Sequence, residues 1–180
     1  MLKTFSILAI LFILPGLGRA IAQKIYQTTN GQVEFFSSAP VEDISAVSNK
    51  GVSVLSTSGE ISFRVQIKSL NFPKSLMQEH FNENYMESDK FPAATFKGRI
   101  INTPDLSITG EFQVILQGVL EVHGVKQSRE IPASLTVVNG IINLKSQFDV
   151  ACEDHNIKIP RILWQNIAEV VQVKINANFK

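Results

Sequence analysis

The sequence has one cysteine, Cys152, in 180 residues. A lone cysteine closes no disulfide within a chain, so the fold must rest on its core. With no Cys-x-x-Cys pair and no Gly-x-Ser-x-Gly elbow, the familiar redox and serine-nucleophile motifs are absent. His80, His123 and His155 are the only histidines, and no two stand three or four positions apart. A local metal-binding pair is therefore missing, and neither a metal nor a cofactor is expected. Charge of one sign is also missing: 17 Lys and Arg against 16 Asp and Glu give a net charge of +1. Without a basic surplus, and without a P-loop, zinc-finger or RNP pattern, nothing points to nucleic acid. No internal repeat, linker or low-complexity stretch interrupts the chain.

What is present begins with a leader. Met1-Leu2-Lys3 gives a positive start, and Phe5 to Leu14 (FSILAILFIL) is an apolar run of ten residues. That run is shorter than the roughly 20 residues a spanning helix needs. Pro15-Gly16 ends it, and Ala20-Ile21-Ala22 fits a small-x-small cleavage site. The expectation is a signal peptide over 1–22, cleaved after Ala22, and a periplasmic or secreted domain over 23–180. No integral membrane segment is expected after cleavage.

The mature chain is ruled by period-two alternation. Ile61, Phe63, Val65 and Ile67 alternate with Ser62, Arg64, Gln66 and Lys68. Phe112, Val114, Leu116, Leu120 and Val122 form one face of a second segment, Ile131 to Val137 of a third, and Val171 to Phe179 of the last. Each reads as a strand with one buried and one wet face. Weaker strands are expected at Lys24–Thr28, Gln32–Ser37, Val52–Ser56, Thr95–Ile101 and Ile141–Val150. Asn30-Gly31, Ser58-Gly59, Thr109-Gly110 and Asn139-Gly140 read as turns between them. Many antiparallel strands with short links imply a closed barrel or a sandwich.

Two segments have helical spacing instead. Ser75 to Asn82 carries Leu76, Met77, His80 and Phe81, with Ser75 as the expected cap. Arg161 to Ala168 follows Pro160. The first lies in Leu76–Gly98 (LMQEHFNENYMESDKFPAATFKG), the stretch densest in ionisable groups. Glu79 and Glu83, four apart, would share an exposed helical face, and paired carboxylates suit glycoside hydrolysis. A solvated helix face explains them more simply. The apolar residues Met77, Phe81, Tyr85, Phe91 and Phe96 are the organised part, able to border a barrel mouth. His123 reads as a hydrogen-bonding residue at a strand end, His155 as surface loop, and Cys152 as a half-buried filler.

That stretch resembles the signature of the YceI-like lipid/polyisoprenoid-binding family. The shared features are the strand end IKSLNF (Ile67–Phe72), Met-x-x-His-Phe (Met77–Phe81), Ser-Asp-x-Phe-Pro (Ser88–Pro92) and Phe-x-Gly (Phe96–Gly98). GVLEVHG (Gly118–Gly124) and Phe148-Asp149-Val150 extend the resemblance over roughly Gln32 to Phe179. It implies an all-β fold, an eight-stranded antiparallel lipocalin-like barrel with one or two short helices. It also implies an exported, non-enzymatic binding protein that sequesters or carries a polyisoprenoid, fatty-acyl or similar amphiphilic chain.

On that reading the cavity is expected to be lined by Phe63, Val65, Phe96, Phe112, Val114, Leu116 and Leu135, with Phe72, Met77 and Phe81 at the mouth. A homodimer is compatible with the sequence. The alternatives are a structural or stress-response interaction protein with no ligand, and a hydrolase using Glu79, His80 and Glu83.

Overall fold

The computed structural model describes residues 24–38, 42–159 and 168–180. The expected signal peptide, its cleavage site and most of the expected helix at Arg161–Ala168 lie outside these residues. Eight strands form one closed antiparallel barrel in sequence order: β1 (Ile25–Ser37), β2 (Ile44–Ser56), β3 (Glu60–Gln66), β4 (Ala93–Ile101), β5 (Gly110–Val122), β6 (Val125–Val138), β7 (Ile141–Ala151) and β8 (Val170–Phe179). β8 closes on β1, with Gln32–Phe36 opposite Asn176–Gln172.

Turn chemistry sets the register. His123-Gly124 joins β5 to β6, and Asn139-Gly140 joins β6 to β7. Both pairs have positive φ (51° and 72°, 51° and 77°). Two positive-φ residues match the right-handed twist of the flanking strands, which is why Asn-Gly favours a tight hairpin. Asn30-Gly31 behaves differently from its expected turn. It lies within β1, where the register against β2 shifts, so the two expected strands at Lys24–Thr28 and Gln32–Ser37 are one bulged strand.

Two strands begin earlier than alternation suggests. β2 starts at Ile44 because its inward positions there are small or polar, and Ser48 is fully buried with its hydroxyl 2.7 Å from that of Ser69. β6 starts at Val125, although Gln127 and Arg129 stand on the face that is apolar from Ile131 onward. These two polar side chains serve a seam. The β6–β7 ladder runs from Val138–Ile141 to Ala133–Ser146 and ends beside Pro132, which has no N–H to give. From that point side chains bridge β6 to β7 and to the loop that follows it. Ser146 donates to the Pro132 carbonyl, Arg129 to the Asp149 carbonyl, and Gln127 to the Asp154 carbonyl.

The long connection from β3 to β4 carries the one α-helix among the described residues, α1 (Ser75–His80), which continues as a π-type turn over Phe81–Tyr85. Ser75 is the first helical residue and not the cap: Lys74 takes the cap position, and no side chain caps the helix.

One end of the barrel is solid. Leu55, Leu135, Ile142 and Phe179 are fully buried there with Tyr26, Ile100 and Val137, and backbone bonds between Gln27 and Lys180 tie the chain end to β1. A second cluster of Val33, Val65, Ile67, Leu70, Phe81 and Met86 lies at the end that carries α1. Phe63, Val122, Val173 and Ile175 touch both clusters yet are only half-buried.

Candidate functional site

Along β8 the inward residues Val171, Ala177 and Phe179 are buried, while Val173 and Ile175 between them are not. Phe148 on β7 and Phe63 on β3 show the same loss of burial at mid-strand. Side chains that point inward yet remain accessible mark empty space. Here that space is a cavity of about 600 Å³ between the two apolar clusters.

The floor is made by Ile61, Phe96, Leu116, Leu120, Ile131 and Leu144, which also belong to the closed-end core. The wall carries Phe63, Val65, Phe148, Val173 and Ile175. At the mouth stand Ile44, Phe72, Leu76, Met77, Phe81 and Ile157. Three rings brace one side of the mouth, with centroids 5.6 Å apart for Phe35–Phe81, 4.8 Å for Phe72–Phe81 and 6.1 Å for Phe35–Phe72. Such tilted and edge-on pairs favour a fixed arrangement.

Few polar groups reach this space. Ser146 points in at mid-depth, but its hydroxyl is committed to the Pro132 carbonyl at 2.7 Å. Cys152 lines the cavity too, and burial, helped by the Glu169 carboxylate, pushes its thiol pKa up. At the mouth are Glu42, which pairs with Lys74, and His80 and Tyr85. Burial pushes the Tyr85 phenol up. The arrangement therefore offers an apolar bore with polar groups confined mainly to its entrance.

The rim is fixed by a histidine. His123 is buried in the β5–β6 turn, with Nε2 2.9 Å from a Glu87 carboxylate oxygen and Nδ1 3.1 Å from the His155 carbonyl. Its ring packs edge-on against Phe91, centroids 4.4 Å apart. One imidazole thus ties together the turn after α1, the β5–β6 hairpin and the loop after β7. The strand-end bonding expected of His123 is present, but the side chain is buried and not on a wet face. His155, expected at the surface, is fully buried, with Nδ1 3.2 Å from the Val125 carbonyl. Its acidic neighbours Glu153 and Asp154 made the loop look solvated.

Of the residues expected to line the cavity, Phe63, Val65, Phe96 and Leu116 do so, and Phe72, Met77 and Phe81 are at the mouth. Phe112, Val114 and Leu135 are not on its surface. Val114 and Leu135 are buried in the closed-end core, and Phe112 packs against that core. Alternation correctly turns them inward but carries no information on depth, which the strand register decides. Phe148, Val173 and Ile175 were missed for the same reason. Glu79, His80 and Glu83 are all exposed, and His80 alone of the three borders the cavity.

The family model for the YceI-like domain matches residues 20–179. No curated protein matches the sequence significantly. Among solved structures, a polyisoprenoid-binding domain from Saccharophagus degradans implicated in plant cell wall breakdown superposes with a TM-score of 0.75 at 13% identity, covering 87% of this chain and 97% of its own. Burkholderia cenocepacia BcnA gives 0.70 at 12% identity, with 82% and 95% covered. A Campylobacter jejuni YceI protein gives 0.56 at 13% identity, with 98% and 97% covered. At these identities the likeness establishes the fold.

Proposed function

This chain belongs to the YceI-like domain family, and from that membership and the shape of its interior we propose that it binds a long apolar or amphiphilic chain inside the barrel. A polyisoprenoid or fatty-acyl chain fits this reading. The observation that carries it is the cavity of about 600 Å³, apolar on floor and wall and open at the α1 end. Cavities of roughly 300–1,000 Å³ commonly take small ligands. Each CH2 removed from water there contributes about 0.8 kcal/mol. A handful of carbons therefore offsets the cost of ordering a flexible chain. The polar entrance, with Tyr85, His80 and the Glu42–Lys74 pair, suits a head group that stays wet. We further propose export, with residues 1–22 as the leader.

The test is organic extraction and mass spectrometry of the natively purified protein, followed by titration of the delipidated protein with prenyl and fatty alcohols. The reading expects a co-purifying amphiphile or saturable binding of one series. A protein that carries nothing and binds neither series would end it.

A further inference from the structure

Phe63 and Phe96 are register partners across β3 and β4, yet their rings lean apart. The Phe63 ring lies over Gly31 and Gly51, which are paired across β1 and β2. Gly51 stands next to Val52, the partner of Arg64, and so on the mouth side of Phe63. The Phe96 ring lies over Gly98 and Gly118, paired across β4 and β5, one inward step toward the closed end.

The second site forms a recess. The inward positions of β4 run Ala94, Phe96, Gly98, Ile100. Ala94 and Phe96 border the cavity, and Ile100 is locked in the solid core. Between them Gly98 presents no side chain, and neither does Gly118 opposite. The wall there is bare backbone. A methyl group at Gly98 would stand 2.9 Å from Phe96 Cζ, and one at Gly118 would stand 2.8 Å from it. The ring therefore occupies the volume that two ordinary side chains would otherwise fill. Phe96 is a plug that fills this recess.

We propose that Phe96 determines how deeply an apolar chain enters the barrel, and hence the chain length bound best. The inference rests on the binding reading and adds to it the residue that sets specificity. Phe63, half-buried at mid-wall and leaning toward the mouth, limits width and not depth.

The experiment uses the delipidated full-length protein and two ladders of increasing length, straight-chain alcohols and all-trans prenyl alcohols. Each competes with an apolar fluorescent probe. The wild-type protein should show a length optimum in whichever series it accepts. Phe96→Ala should open a recess on the order of 150 Å³, enough for a benzene-sized group, and move the optimum up by about one five-carbon unit. Phe96→Leu should move it in the same direction by less, and it carries the test if melting curves show the alanine protein unfolded. Phe63→Ala should leave the optimum in place. Folded Phe96 variants with the wild-type optimum, or an equal shift from Phe63→Ala, would overturn the assignment. A wild-type protein that binds probe and chains with no optimum would overturn it as well. Failure of the wild-type protein to bind either ladder would instead bring down the binding reading itself.

Discussion

His123 and Glu87 meet at 2.9 Å, joining the hairpin between β5 and β6 to the turn after α1. The Nδ1 of His123 faces a carbonyl and so must donate to it, while Nε2 faces the carboxylate. Hydrogen bonds to charged groups contribute about 1.5–3 kcal/mol when well formed, and less where one partner is half-exposed, as Glu87 is. A double-mutant cycle of His123→Ala and Glu87→Ala should give a coupling energy of about 1 kcal/mol in urea unfolding. A coupling indistinguishable from zero would show that the rim is held by the Phe91 packing and the bond to the His155 carbonyl, without help from Glu87.

The glycine pairs should rank by what surrounds them. A methyl at Gly118 would stand 2.4 Å from the Lys97 carbonyl oxygen and 2.6 Å from Gly98 Cα, both backbone. One at Gly31 meets its nearest neighbour, the edge of the Phe63 ring, at 3.2 Å. Gly118→Ala should therefore destabilise the fold by about 1–3 kcal/mol. Gly31→Ala should stay within about 0.5 kcal/mol of wild type, since the lost chain entropy of glycine offsets a small ring shift. Thermal melts of the two proteins decide this, and equal stability would contradict the close approach of β4 and β5.

Leu135 and Val173 separate stability from binding. Leu135 is fully buried away from the cavity, so Leu135→Ala should cost about 2–5 kcal/mol and leave probe affinity unchanged. Val173 faces the open bore, so Val173→Trp should fold and lower probe affinity about tenfold or more by filling the passage. Denaturation and probe titration of both variants should show this crossed pattern. Loss of binding in a folded Leu135→Ala protein would mean the cavity extends deeper than its walls indicate.

Alkaline stability should report Cys152. Its thiol is raised above the ordinary 9.0 by burial and by the Glu169 carboxylate. A folded state that holds the proton more tightly than the unfolded state keeps its full contribution below 9.0 and loses it as pH rises through the folded value. Cys152→Ala should flatten the decline in melting temperature that begins just above that pH, leaving the decline from Tyr85, which starts above 10.0. Glu169→Gln should flatten it partially. An unchanged slope in Cys152→Ala would place the alkaline transition elsewhere.

Much of this architecture could be read from residue order. The outward Gln113, Gln117 and Glu121 between apolar partners gave β5 its face, and Asn139-Gly140 gave its hairpin. Other signals were ambiguous for physical reasons. Asn30-Gly31 has turn chemistry, but a bulge uses the same conformational freedom, and the pairing with β2 decided between them. Gln127 and Arg129 broke the alternation of β6 because they satisfy carbonyls across the seam. The mouth residues Met77 and Phe81 stood out locally by their spacing. The floor did not, since Leu116 and Val114 are identical in pattern and differ only in which level of the barrel they reach.

The ladder that ends at Ala133–Ser146 gives the wall two kinds of fastening. Along the ladder, backbone hydrogen bonds hold β6 and β7 at about 4.7–4.9 Å. Beyond it, Ser146 and Arg129 span the gap with rotatable arms, and Gln127 reaches the loop after β7. Such arms lengthen or swing at less cost than a row of amides can part. The β6–β7 junction is consequently stiff toward the closed end and compliant toward the mouth.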